Sequence, residues 1–156
     1  MRIMALVGAL ALLLGLPASV AAQEAAPASA ENFVWAGACK ECHDAIHDSW
    51  SKTKHAKTID RLNSDERKDA ACVGCHVTGP KEAVTVETKI VNAGVQCESC
   101  HGSGKAHVEA AKAGNAASVH MTAKPAAPLC QTCHNDKSPH FKGFYYNALV
   151  GLVHKK

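Results

Sequence analysis

The sequence predicts a mainly α-helical domain with little regular secondary structure and one short β-hairpin or strand, compact around something other than side chains. Three observations predict it. A Cys-x-x-Cys-His motif recurs four times and uses all eight cysteines. Large apolar residues are too few for an ordinary core, and only one stretch alternates in hydrophobicity between short helical segments. From Phe33 onward the large side chains are Phe33, Trp35, Ile46, Trp50, Ile59, Leu62, Ile90, Leu129, Phe141, Phe144, Tyr145, Tyr146 and a few further Leu and Val. Burial of these alone does not offset the conformational entropy of folding.

Taken in chain order, residues 1–22 read as a secretory signal peptide. Met1-Arg2 precedes an apolar run from Ile3 to Leu16, Pro17 breaks it, and Val20-Ala21-Ala22 offers small residues for cleavage. The run falls short of the roughly 18 to 20 apolar residues that span a bilayer, so no integral membrane segment is expected after cleavage. Residues 23–32, rich in Ala, Pro and Ser, read as a flexible linker, and residues 33–156 as one domain. Within it, Cys39 to Leu62 carries helical periodicity. Val84, Val86, Thr88 and Ile90 alternate with polar residues after Gly79-Pro80, which reads as a strand or hairpin arm. Lys105 to Lys112 reads as an Ala-rich helix after the Gly102-Ser103-Gly104 turn, and Phe144 to His154 as a C-terminal helix.

The 17 Lys and Arg against 14 Asp and Glu give a formal charge of +3, with no basic run interleaved with aromatics. Nucleic acid is therefore not expected as a partner.

The four motifs are Cys39-Lys40-Glu41-Cys42-His43, Cys72-Val73-Gly74-Cys75-His76, Cys97-Glu98-Ser99-Cys100-His101 and Cys130-Gln131-Thr132-Cys133-His134. The chain's own composition would produce this pattern by chance about 0.03 times. Zinc ribbons do not require a histidine after each cysteine pair, and four disulfides of this tight spacing would leave the histidines unexplained. Covalent haem accounts for every letter. Two thiols three positions apart each add to a vinyl group, and the adjacent histidine becomes the proximal iron ligand. The expectation is four haem c groups, attached through Cys39, Cys42, Cys72, Cys75, Cys97, Cys100, Cys130 and Cys133, with His43, His76, His101 and His134 on the irons. Porphyrin faces then supply the missing core. Motif spacings of 33, 25 and 33 residues leave too little protein to insulate such groups from one another.

Six histidines remain for at most four distal positions: His47, His55, His107, His120, His140 and His154. His47 lies one helical turn after His43, on nearly the same face, and reads as a surface or propionate-contacting residue. His55 is far enough along to reach another haem. His154 either swings onto a haem or frays with the C-terminus.

Three stretches make the sequence resemble the cytochrome c-554 family of tetrahaem cytochromes: "CKECHDAIHDSWSKTKHAKT", "CVGCHVTG" with "GVQCESCHGSGKAH", and "CQTCHNDKSPHFKGFYYNALVGLVH". The resemblance implies a mostly helical multihaem fold with haems in close, partly stacked pairs, three of them ligated by two histidines. Matched motif by motif, it implies His55 as distal ligand of the third haem, His107 of the first and His154 of the fourth. The second haem, on His76, can then lack a strong distal ligand. The chain departs from the family by being shorter between the third and fourth motifs and at its C-terminus. It also carries His120 and His140, either of which could close the second haem.

The function expected is that of an exported, periplasmic electron carrier between donor and acceptor redox proteins of a respiratory chain, more a carrier than an enzyme. Two other readings stay open: a small haem enzyme reducing nitric oxide or nitrite at an open iron on His76, and an oligomer stacked into a multihaem filament.

Overall fold

The computed structural model describes residues 29–80 and 91–155. The expected strand at Val84 to Ile90 lies outside the described residues, as do the signal peptide and most of the linker. Among the described residues there is no strand, and one antiparallel bridge joins Val77 to Ala93. The rest is short helix and turn. The helices are α1 (Trp35–Lys40), α2 (Asp44–Ser51), α3 (Ala70–His76), α4 (Cys97–His101), α5 (Lys105–Lys112), α6 (Ala127–Gln131) and α7 (Tyr146–Leu149), with 3₁₀ turns between several of them. No helix among the described residues is long and apolar enough to cross a membrane.

The helix expected over Cys39 to Leu62 is broken twice. His43 leaves the helical region at φ −119° and ψ 43°, which ends the motif's own turn before α2 begins. After α2 the Thr53 hydroxyl donates to the Trp50 carbonyl at 2.7 Å, a local bond that competes with the helical ladder. The chain then turns through His55 into a 3₁₀ turn, Thr58–Arg61. The C-terminal helix is likewise shorter than expected, α7 passing into a 3₁₀ turn at Val150–Leu152.

Side chains alone make almost no core. Among the described residues the buried apolar ones are Ala36, Leu62, Val73 and Val77, and the buried polar ones are Thr78, Asn92, Gln96 and Glu98. Leu62, Val73 and Val77 cluster behind α3, with Ile59 and Cys72 packed on them. The Asp69 carboxylate caps α3 by accepting from Ala71 N–H.

Polar side chains do the remaining tying. The Glu98 carboxylate, inside the third motif, accepts from the backbone N–H of Val34 at 3.0 Å, Trp35 at 2.8 Å and Gly104 at 2.7 Å. Gln96 accepts from Ala36 N–H at 2.7 Å. Together they satisfy the N-terminal amides of α1 from a distance of some sixty residues, so the helix of the first motif is seated on the third. Trp35 holds a left-handed φ of 63° there, a conformation that costs a large side chain about 1 kcal/mol or more and is fixed by these bonds. Thr78 plays a matching part: its hydroxyl accepts from Gln96 N–H at 2.7 Å and lies 2.9 Å from both the Gly94 carbonyl and the Ser99 hydroxyl.

Candidate haem sites

The ring separations of the histidines carry the chemistry. His43 lies 6.5 Å from His107 between ring centroids, His55 lies 6.0 Å from His134, and His101 lies 6.1 Å from His154. Each pair joins a motif histidine to a histidine remote in sequence. A metal–imidazole bond of about 2 Å on either side of one ion puts two ring centroids about 6.3 Å apart. The three pairs therefore fit one iron each.

Second partners set the rings. His107 Nδ1 is 2.9 Å from the Val119 carbonyl, His101 Nδ1 is 2.5 Å from the Thr122 carbonyl, and His76 Nδ1 is 2.7 Å from the Thr58 carbonyl. A carbonyl only accepts, so Nδ1 carries the proton in each and Nε2 keeps the lone pair a metal needs. His55 is held below the usual histidine range, first by burial and then by the neighbouring His134, which keeps its ring neutral and able to ligate.

His76 faces no second imidazole. All ten histidines of the chain lie among the described residues, so none is hidden from this comparison. His120 and His140 are exposed and pair with no motif histidine.

His107 stands beside the first-motif histidine, as the resemblance implies. His55 and His154 are exchanged relative to it: His55 meets the histidine of the fourth motif rather than the third, and His154 meets that of the third rather than the fourth. The reason is the route of the chain. Val95 N–H donates to the His55 carbonyl at 2.8 Å, holding that turn beside the approach to α4 while its ring reaches the fourth motif. Lys155 N–H donates to the Ser49 hydroxyl at 2.7 Å, which pins the C-terminus against α2 and brings His154 over the third motif. His47, expected as a surface or propionate-contacting residue, is half-buried. Its side chain is 18% exposed, it packs 5.3 Å from Trp50, and its Nδ1 is buried.

A cavity of about 610 Å³ lies between the first and third motifs, walled by Cys39, Cys42 and His43 on one side, Cys97, Cys100 and His101 on the other, and by both their partners, His107 and His154. That volume belongs to the class of sites that take sizeable ligands, and its other walls are mostly apolar, among them Ile46, Trp50, Val95 and Val108. The Cys39 thiol hydrogen-bonds to that of Cys97. This bond pushes Cys39 above the usual thiol range and lowers Cys97 to about 7. Cys100 is pushed up to about 11 by burial and then by the nearby Cys130 and Cys133. Third and fourth motifs are therefore neighbours too. None of the eight cysteines is in a disulfide, as thioether attachment requires.

Residues 38–102, which hold the first three motifs, match the family model of cytochrome c554 and c-prime. Over these residues the chain is similar to the cytochrome c554 and c-prime family. Cytochrome c-554 of Nitrosomonas europaea is 38% identical over 86 residues, which cover 43% of this chain and 37% of that protein. The chain thus matches little more than a third of that relative's length. A solved structure of reduced cytochrome c554 from the same organism aligns with a TM-score of 0.47 at 27% identity, over 79% of this chain and 78% of that one. That likeness implies covalently bound haem c at these motifs, and the ring separations and the disulfide-free cysteines fit it.

Neither the Glu98 and Gln96 staple nor the role of His47 in the cavity wall is legible from the motifs. A glutamate between two motif cysteines, with a glutamine just before them, was the available signal.

Proposed function

We propose that this chain is an exported tetrahaem c-type cytochrome that carries electrons between donor and acceptor proteins of a respiratory chain. The observation that carries the reading is the set of three imidazole pairs at a one-iron spacing, each built on a different motif histidine. When bound, haem supplies the one-electron chemistry; the chain supplies ligands, burial and spacing. His43 with His107, His101 with His154 and His134 with His55 saturate three sites, which favours electron exchange over substrate binding there. His76 holds the fourth from one side.

The sites also form a series. Second and fourth meet through the turn that runs from His55 to Thr58, fourth and third through Cys100 with Cys130 and Cys133, and third and first through the cavity and the Cys39–Cys97 contact. The order 2–4–3–1 puts the incompletely ligated site at one end. Export is supported by the signal-like residues 1–22, and periplasmic placement accords with it.

A second reading rests on His76 alone. With no facing imidazole, its iron is open to a small ligand such as nitric oxide or nitrite, and the chain then reduces that ligand with electrons drawn along the series.

Electron paramagnetic resonance of the oxidised, haem-loaded protein, before and after nitric oxide or cyanide, tests both. Three low-spin signals and one high-spin signal that responds to ligand are expected. Four low-spin signals indifferent to ligand leave a carrier alone and remove the second reading. Fewer than four haems by mass, or several high-spin signals, overturn the ligand set.

A further inference from the structure

Two short straps of backbone each touch the ligands of two sites. In residues 119–122, the Val119 carbonyl holds His107 and the Thr122 carbonyl holds His101, so one strap orients a ligand of the first site and one of the third. In residues 55–58, His55 supplies the ring beside His134, and the Thr58 carbonyl holds His76 Nδ1 at 2.7 Å. This second strap joins the fourth site to the second.

The second strap differs in having a side chain that locks it. The half-buried Thr58 hydroxyl lies 2.9 Å from the His76 carbonyl and 3.1 Å from the His55 carbonyl, and its single proton is shared between them. Thr58 thus grips His76 twice, by carbonyl on the ring and by hydroxyl on the backbone, while bridging to His55.

We infer that Thr58 is the positioning residue that ties the open second haem to its neighbour, the fourth, its carbonyl holding the His76 ring while its one hydroxyl locks the backbone of His76 to the His55 turn. The inference rests on the four-haem reading above. A hydrogen bond from Nδ1 to a carbonyl makes a ligating imidazole more basic and favours the ferric state. Releasing the strap lengthens that bond, so the second haem becomes easier to reduce. The same release lets the His55 ring turn, which alters the fourth site.

Thr58→Val removes the hydroxyl and keeps the branched shape, while Thr58→Ser keeps the hydroxyl. In the full haem-loaded chain, T58V is expected to raise the midpoint potential of the high-spin haem. One hydrogen bond is worth enough to move the equilibrium dividing an electron between that haem and the others by about three- to tenfold. T58V should also shift one low-spin resonance, that of the His55–His134 site, with the other two unmoved, and T58S should restore both. Should T58V fail to load haem, Thr58→Ala reads the same two signals. The inference is overturned if the valine or alanine variant lowers the melting temperature but leaves both signals in place, if all four haems shift alike, or if serine does not restore them. Failure of the underlying reading looks different: the unmutated protein would then lack four haems or its single high-spin signal.

Discussion

The two halves of the molecule are assembled on opposite plans. Around the second motif, the chain builds a small ordinary core, Leu62, Val73 and Val77, and hangs His76 from it through Thr58. Around the first and third motifs, the protein-only structure has a cavity where a core would be, and the walls are joined by a buried carboxylate and a buried amide. Apolar packing is non-directional and tolerates small errors, whereas a ring of hydrogen bonds around a cavity fixes position without filling space. The first half can hold its histidine before haem arrives. The second needs haem to be finished.

The largest effect expected from this contrast comes from withholding haem at chosen motifs. Replacing Cys39, Cys42, Cys97 and Cys100 by alanine should cut amide-exchange protection in α1, α2, α4 and α5 by about a hundredfold, while the segment from Ile59 to Thr78 keeps most of its own. Equal loss throughout would break the comparison, because it would mean that the apolar cluster is no more independent than the cavity.

Next in size is Glu98→Ala. It strips three N–H groups of their acceptor, the buried one of Gly104 and the partly buried ones of Val34 and Trp35. The cost expected is about 3 kcal/mol in a denaturant titration of the haem-loaded protein. Trp35 is the residue to watch, since its left-handed backbone is held by that carboxylate. Its fluorescence or exchange should respond before that of Trp50, whose indole N–H is bonded to the Val95 carbonyl instead. Leu62→Ala should cost somewhat less, about 2 kcal/mol, by opening a void behind α3. It should move the high-spin signal and spare the low-spin signals of the first and third sites, the reverse of Glu98→Ala.

How far the sequence reveals this arrangement varies with the range of the interactions. The motifs carry their own chemistry, and Lys105–Lys112 is a helix over the residues expected of it, because both depend on neighbours a few positions away. The long helix over Cys39 to Leu62 fails for a local reason that the periodicity obscures: the motif must turn at His43, and the Thr53 hydroxyl closes the end of α2. The partners of His55 and His154 are not legible in this way. They are decided by Val95 on the His55 carbonyl and by Ser49 on the C-terminus, contacts that join segments dozens of residues apart. Glu98 is hidden for the same reason; as a sequence letter it is one more charged residue inside a motif, and only the fold brings α1 to it.

The smallest and most local test lies where the halves touch. Gly94 has φ +85°, and a Cβ added to it would stand 2.6 Å from the Ala56 carbonyl oxygen and 3.2 Å from that of His55. Backbone on both sides of the contact leaves no flexible atom to yield. Gly94→Ala must therefore either abandon the left-handed conformation or push the turn at residues 55–56 away, at a cost of about 1 to 2 kcal/mol. Because Val95 N–H holds the His55 carbonyl from the next residue, the displacement passes to the ring facing His134. The expected result is a change in one low-spin signal, that of the fourth site, with little change at the first and third. Since Thr58 hangs from the same turn, a smaller movement of the high-spin signal should accompany it. If the fourth-site signal stays fixed while the protein is destabilised, the turn yields without carrying His55 with it, and the two halves are joined more loosely than the strap implies.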